Sequence, residues 1–264
     1  MDTPNKPLTY ISYLRLEELL KLQQPRSAGP EHDEMLFIVI HQVYELWFKQ
    51  VLHELRHLRH QFEHGDTSGA LATLKRVLTI LKTLVSQVDV IETLTPMAFN
   101  SFRARLESAS GFQSHQFRQL EFLLGHKRPE LVDKQPAGPG RDALEHLLAE
   151  PTVFDAFLYY LSSQGHAVPK AALTRDVRQP LAPSAEVQEL LLAAYRRNDL
   201  GTMVCERLVD LDEGLQEWRY RHVKMVERTI GAKPGTGGSS GADYLRKTLF
   251  KPLFADLWEI RSRL

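Results

Sequence analysis

Apolar residues recur along this chain at intervals of three and four, the period of an amphipathic helix. Leu71, Leu74, Leu78, Leu81, Val85, Val88 and Ile91 form one such stripe, and Leu208, Leu211, Leu215, Trp218, His222 and Met225 form another. Few stretches alternate as strands do, and no Asn-Gly hairpin signal occurs. Punctuation residues bound the helices. Gly65-Asp66 ends a long helix begun near Glu31, and the next begins at Thr67 or Ser68. Thr95-Pro96 reads as an N-cap followed by proline at the first helical position. Gly201-Thr202 opens a further long helix that Gly231 closes, and Ala242 to Arg263 is periodic again.

The predicted fold is all-α: a single large helical domain of long antiparallel helices over residues 1–264. His126 to Gly140 is rich in proline, glycine and charge, and Ser162 to Ser184 lacks periodicity. Between them, Ala143 to Leu161 predicts one or two short helices. The region 126–184 therefore reads as a small helical insertion with too few apolar residues for a separate core.

Composition narrows the function. Of 264 residues, 43% are hydrophobic and 25% charged, ordinary for a globular protein. Lys+Arg and Asp+Glu both number 33, so no broad basic surface calls for nucleic acid. The longest apolar run, Met35 to Ile40, is far too short for a membrane span, and no signal core opens the chain. The one cysteine, Cys205, rules out an intrachain disulfide, and its apolar neighbours make it a core residue. These features read as a cytoplasmic protein without anchor or nucleic-acid partner.

Chemistry-bearing residues stand out against that background. His41 follows the apolar run and shares a stripe with Phe37, Tyr44, Phe48, Leu55 and Phe62. Such a histidine is either satisfied by a core partner or faces a cavity. His222 poses the same question on another helix. Two histidines on the apolar faces of two long helices meet the requirement for sandwiching a haem, although helical bundles also hold metals this way. Arg103, beside Phe99, Phe102 and Leu106, either pairs with an internal carboxylate, snorkels to water, or grips a ligand carboxylate with its planar fork. Gly235-Thr-Gly-Gly-Ser-Ser-Gly241 lacks the lysine of a phosphate loop and follows no strand, leaving a linker or a lid over a ligand. His53, His57, His60 and His64 fall at helical spacing, but the charged residues among them make that face solvated rather than a metal ladder.

The stretch His32-Asp-Glu-Met-Leu-Phe-Ile-Val-Ile-His41-Gln-Val-Tyr-Glu-Leu-Trp-Phe-Lys49 resembles the distal-side helix of tryptophan 2,3-dioxygenases. Phe102-Arg103 with Ser110-Gly-Phe-Gln-Ser-His-Gln-Phe117 resembles that family's substrate-carboxylate segment. Arg221 to Gly231, the glycine loop and Tyr244-Leu245 resemble its proximal helix and substrate loop. The resemblance implies haem b, ferrous in the active form, with His222 as axial ligand. It implies L-tryptophan and O2 as substrates and N-formyl-L-kynurenine as product, the first step of tryptophan catabolism by the kynurenine pathway. His41 then meets the indole N–H, Phe37 lines the indole pocket, Arg103 pairs the carboxylate and Thr236 meets the ammonium and carboxylate. Phe99 stands where some relatives carry a tyrosine hydroxyl. Tyr10 and Tyr13 match a pair that reaches into a neighbouring subunit's site, within a homotetramer.

Overall fold

The computed structural model describes residues 7–27, 29 and 31–264, and no strand occurs among them. Two short helices, α1 (Tyr10–Leu14) and α2 (Leu16–Leu19), precede a 31-residue helix α3 (Asp33–Glu63). Next come α4 (Thr67–Ile91) and α5 (Pro96–Arg103). Then follow α6 (His115–Leu123), α7 (Pro139–Ala149), α8 (Val153–Ser163) and α9 (Lys170–Leu173). The chain ends with α10 (Ala185–Arg197), a second 31-residue helix α11 (Leu200–Ile230), α12 (Ala242–Arg246) and α13 (Ala255–Glu259).

The capping chemistry read from the sequence acts in place. Asp66 accepts from the Gly69 N–H at the start of α4, and Thr95 accepts from the Ala98 N–H ahead of Pro96. Each satisfies a backbone donor that the helix leaves free. Gly231 ends α11 at φ 60°, a left-handed value that a side chain would strain.

Three long helices build the body. Gly65 turns α3 back antiparallel along α4, fixed by a Tyr44 hydroxyl hydrogen bond to the Leu84 carbonyl at 2.8 Å and by an Arg76–Glu54 pair at 2.9 Å. Helix α11 runs parallel to α4, with Arg221 pairing Asp89 at 2.6 Å, and antiparallel to α3, where Trp218 meets Tyr44 and Phe48 edge-on. With neighbours on two sides, α4 buries a wide face that adds Val77, Ile80 and Leu84 to the stripe of Leu74, Leu81, Val88 and Ile91.

Within 126–184, where Ala143 to Leu161 predicts one or two short helices, two form: α7, which begins earlier at Pro139, and α8, which belongs to the main hydrophobic cluster. Val153, Phe157 and Leu161 are fully buried, and Phe62 lies 5.7 Å from Phe157 and 5.5 Å from Tyr160 between ring centroids. The buried Lys127 ammonium donates to the carbonyls of Leu148, in the last turn of α7, and Glu150, its C-cap.

The expectation of one periodic element from Ala242 to Arg263 is corrected. The segment splits into α12 and α13, separated by residues 247–254. Pro252 has no N–H to continue a helix and disfavours helical geometry at Lys251. The fully buried Asp212 carboxylate on α11 instead accepts from the Leu253 N–H at 2.7 Å, the Phe254 N–H at 3.0 Å and the Trp258 indole N–H at 3.0 Å. A buried acceptor anchors the break where backbone hydrogen bonds within a helix would otherwise be needed.

Candidate active site

A cavity of about 260 Å³ opens between α3 and α11 and is closed by α5, α6, the glycine loop and α12. Phe37, His41, Phe99, Arg103, His222 and Thr236 all line it. Residues read from four separate stretches of sequence thus meet around one space.

His41 projects into the cavity from α3. Its Nδ1 lies 2.6 Å from the Phe37 carbonyl oxygen one turn earlier. A carbonyl only accepts, so Nδ1 carries the proton and Nε2 of the neutral ring is left as an acceptor. Burial lowers the His41 pKa, outweighing the Phe37 carbonyl and Glu45 that favour the cation. The Phe37 ring sits 4.1 Å from the His41 ring, centroid to centroid, and packs on Phe99 and Phe102 at 5.7 and 5.6 Å.

His222 faces the same space from α11. Burial, with a smaller repulsion from His41, drives its pKa down to about 4, so it is neutral at pH 7. Neither of its ring nitrogens meets a hydrogen-bond partner among the described residues. The ring stacks on Trp218 one turn earlier, centroids 5.2 Å apart and planes within 5°. A neutral imidazole with open nitrogens suits a metal ligand.

Arg103 has no carboxylate within ion-pair distance among the described residues. Its Nη2 donates instead to the Pro234 carbonyl at 2.6 Å, at the root of the glycine loop. The Thr236 hydroxyl donates to the Ala109 carbonyl at 2.5 Å, drawing the loop towards the Ala109–Ser110 turn. Glycine is required here by close approach: a Cβ on Gly237 would lie 2.6 Å from the Ser110 Cβ, and one on Gly241, at φ 63°, would lie 2.6 Å from the Lys233 carbonyl oxygen.

Sequence reasoning missed a charged cluster at one edge. Glu121, 1% exposed, accepts from Arg118 at 2.6 Å, Arg128 at 2.5 Å and Arg219 at 3.2 Å. Burial raises the Glu121 pKa, but the three guanidiniums reverse this and hold it below its ordinary value. These four groups carry a surplus of two positive charges, and the buried Arg219 Nη1 and Arg128 Nε have no partner among the described residues. Arg118, Glu121 and Arg219 line the cavity, as does Tyr244, whose hydroxyl meets Arg128 at 3.1 Å. The Arg118/Glu121 spacing was the one local signal; Arg128 and Arg219 join only through folding.

Tyr10 and Tyr13 lie on α1, both strongly exposed, and do not line this chain's cavity. His53, His57 and His60 are exposed on α3 and His64 at its C-cap, and no group of three potential ligands able to hold a metal ion occurs among the described residues. Cys205 is fully buried, and burial pushes its thiol up to about 12, out of reach of nucleophilic chemistry. Among the described residues no helix is long and apolar enough to cross a membrane.

Fold and site define an all-helical ligand-binding protein with one deep apolar cavity, two neutral imidazoles inside it and guanidiniums at its edges. The model of the family described as tryptophan 2,3-dioxygenase matches residues 2–137 and 155–264, leaving out only a short stretch around α7. A tryptophan 2,3-dioxygenase of Herpetosiphon aurantiacus is 59% identical over 260 residues, covering 98% of this chain and all of the relative. One from Anaeromyxobacter sp. (strain K) is 60% identical over 262 residues, covering 97% and 96%. A Pseudomonas fluorescens relative of the same name is 41% identical over 265 residues, covering 97% and 91%. The chain belongs to the tryptophan 2,3-dioxygenase family.

Proposed function

We propose that this chain is a haem-dependent dioxygenase that adds both atoms of O2 across the indole C2–C3 bond of L-tryptophan, giving N-formyl-L-kynurenine and opening tryptophan catabolism by the kynurenine pathway. The observation that carries the reading is the convergence of His41, His222, Arg103 and Thr236 on one apolar cavity.

The residues present fit haem b. His222, neutral and with open nitrogens, would hold the iron. Apolar side chains such as Ile40, Val88, Ile91 and Val223 would face the porphyrin. The surplus positive charge around Glu121, with its orphaned guanidinium nitrogens, suits the negative propionates. When bound, haem in its ferrous form supplies the redox chemistry that lets O2 react with the indole.

The remaining work falls to positioning by the protein. His41 Nε2, fixed as an acceptor by the Phe37 carbonyl, takes a hydrogen bond from the indole N–H. Phe37 packs on the indole. Arg103, with no carboxylate within ion-pair distance among the described residues, pairs with the amino-acid carboxylate through its fork. Thr236, on the loop that Arg103 already touches, meets the ammonium and carboxylate. Phe99 offers no hydroxyl, so the carboxylate depends on Arg103 and the loop. Holding the zwitterion at one end and the indole at the other fixes C2 and C3 towards the oxygen, and the apolar walls exclude water.

Supporting this reading, the exposed apolar residues of α1, Tyr10 and Tyr13 among them, suit contact with a neighbouring subunit of a homotetramer. A single domain over 1–264 and a cytoplasmic location complete the proposal. The test is purified protein reconstituted with haem: tryptophan is expected to perturb the absorption spectrum and, with reductant and air, to gain two oxygen atoms by mass. Arg103→Ala is expected to keep haem and lose tryptophan turnover. Unchanged turnover in that variant refutes the carboxylate assignment, and a wild-type protein that leaves tryptophan intact refutes the activity.

A further inference from the structure

A second, smaller cavity of about 20 Å³ lies one turn beyond the inner end of the active-site cavity, enclosed by α3, α4, α6 and α11. Its walls include Val51, Leu81, Leu84, Leu211 and Leu215, and no polar surface lines it. Phe48, Phe117 and Trp218 border both cavities. Their rings form a three-sided partition, with centroids 5.0 Å apart for Phe117 and Trp218, 5.5 Å for Phe48 and Phe117, and 6.0 Å for Phe48 and Trp218.

The space is large enough for a water molecule, which needs roughly 10–15 Å³ by the same measure, but a water also needs two to four hydrogen-bond partners. The walls expose no polar surface, and the one polar atom on a lining side chain, the Trp218 indole N–H, is a single donor at most, so the void stays dry. A dry void of this size takes a small, uncharged, apolar guest that gains dispersion contacts without losing hydrogen bonds. Charged, hydrogen-bonding and larger ligands are all excluded by the walls.

We propose that this void is a docking pocket for an apolar diatomic gas, O2 in the working enzyme, separated from the reaction cavity only by the Phe48–Phe117–Trp218 partition. The choice of O2 rests on the dioxygenase reading; the gas site itself does not. Small rotations of the three rings pass a diatomic molecule into the main cavity, whereas tryptophan is far too large to move the other way. The pocket raises the local concentration of a sparingly soluble substrate beside the place where it is consumed, and leaves the amino-acid grip untouched.

Two variants fill the void from residues that do not line the active-site cavity: Val51→Leu adds one methylene, and Leu211→Phe adds an aromatic ring. Wild-type crystals pressurised with xenon are expected to show an anomalous peak between Leu84, Leu211 and Trp218, and the peak is expected to vanish in any filled variant that folds. In haem-loaded enzyme the same variant is expected to raise KM for O2 about threefold or more, with KM for tryptophan within about twofold of wild type. An absent xenon peak in wild type, an ordered water in the void, or an unchanged KM for O2 in a variant that has lost xenon overturns the proposal. The xenon measurement needs no turnover, so failure of the dioxygenase reading is seen separately, as intact tryptophan.

Discussion

Replacing Glu121 by glutamine removes the one carboxylate among the described residues that is bonded to three guanidiniums. Glu121 is 1% exposed, and the side chains of Arg118 and Arg219 are 7% and 4% exposed, so little water can take its place. Breaking a buried ion pair on one side costs about 3–5 kcal/mol, mostly from the charge left uncompensated. For a chain of this length each kcal/mol lowers Tm by about 2–4 °C, so the haem-free variant is expected to melt roughly 6–20 °C below wild type. Circular dichroism of helix content against temperature reads this directly. Glu121 has its folded pKa lowered, so its stabilisation is full above the unfolded carboxyl pKa and is lost as pH falls through the folded value. The wild-type advantage is therefore expected to hold at neutral pH and shrink below about pH 4. Adding Arg219→Met to the variant removes one surplus charge and is expected to recover part of the loss. A Tm within about 2 °C of wild type at pH 7, or a loss with no recovery in the double variant, refutes the electrostatic account.

Other outcomes follow from the same geometry. Haem dimethyl ester, which lacks propionate charge, forfeits a charge-assisted hydrogen bond worth about 1.5–3 kcal/mol, so its affinity is expected to fall about tenfold to a hundredfold relative to haem; equal transfer rates to apomyoglobin would exclude the Arg118–Arg219 cradle. Gly237→Ala places a Cβ 2.6 Å from Ser110 and is expected to raise KM for tryptophan about tenfold through about 1–3 kcal/mol of crowding, with haem content unchanged. An unaltered KM would show that the loop does not need this close approach. Asp212→Ala orphans the Leu253, Phe254 and Trp258 N–H groups and is expected to cost about 3 kcal/mol or more in urea unfolding; less than about 1 kcal/mol would show that the C-terminal segment finds other partners.

The local features of this protein are written in its sequence. Helical periodicity, the Asp66 and Thr95 caps and the Gly231 stop depend on residues within one or two turns of each other, so short-range chemistry settles them. The resemblance likewise pointed to His41, Arg103, His222 and Thr236, because each sits in a continuous motif. What periodicity could not determine is how far a helical pattern runs. Ala242 to Arg263 keeps its period, yet Pro252 and the distant Asp212 carboxylate break it in two. The four-group cluster around Glu121 draws on α6, α11 and the loop at Arg128. The tautomer of His41 depends on a carbonyl distance, and the dry void beyond Trp218 depends on where side chains from four helices fail to meet. Charge compensation, hydrogen-bond direction and packing density are sums over neighbours remote in sequence, so they come into being only when the helices close on one another.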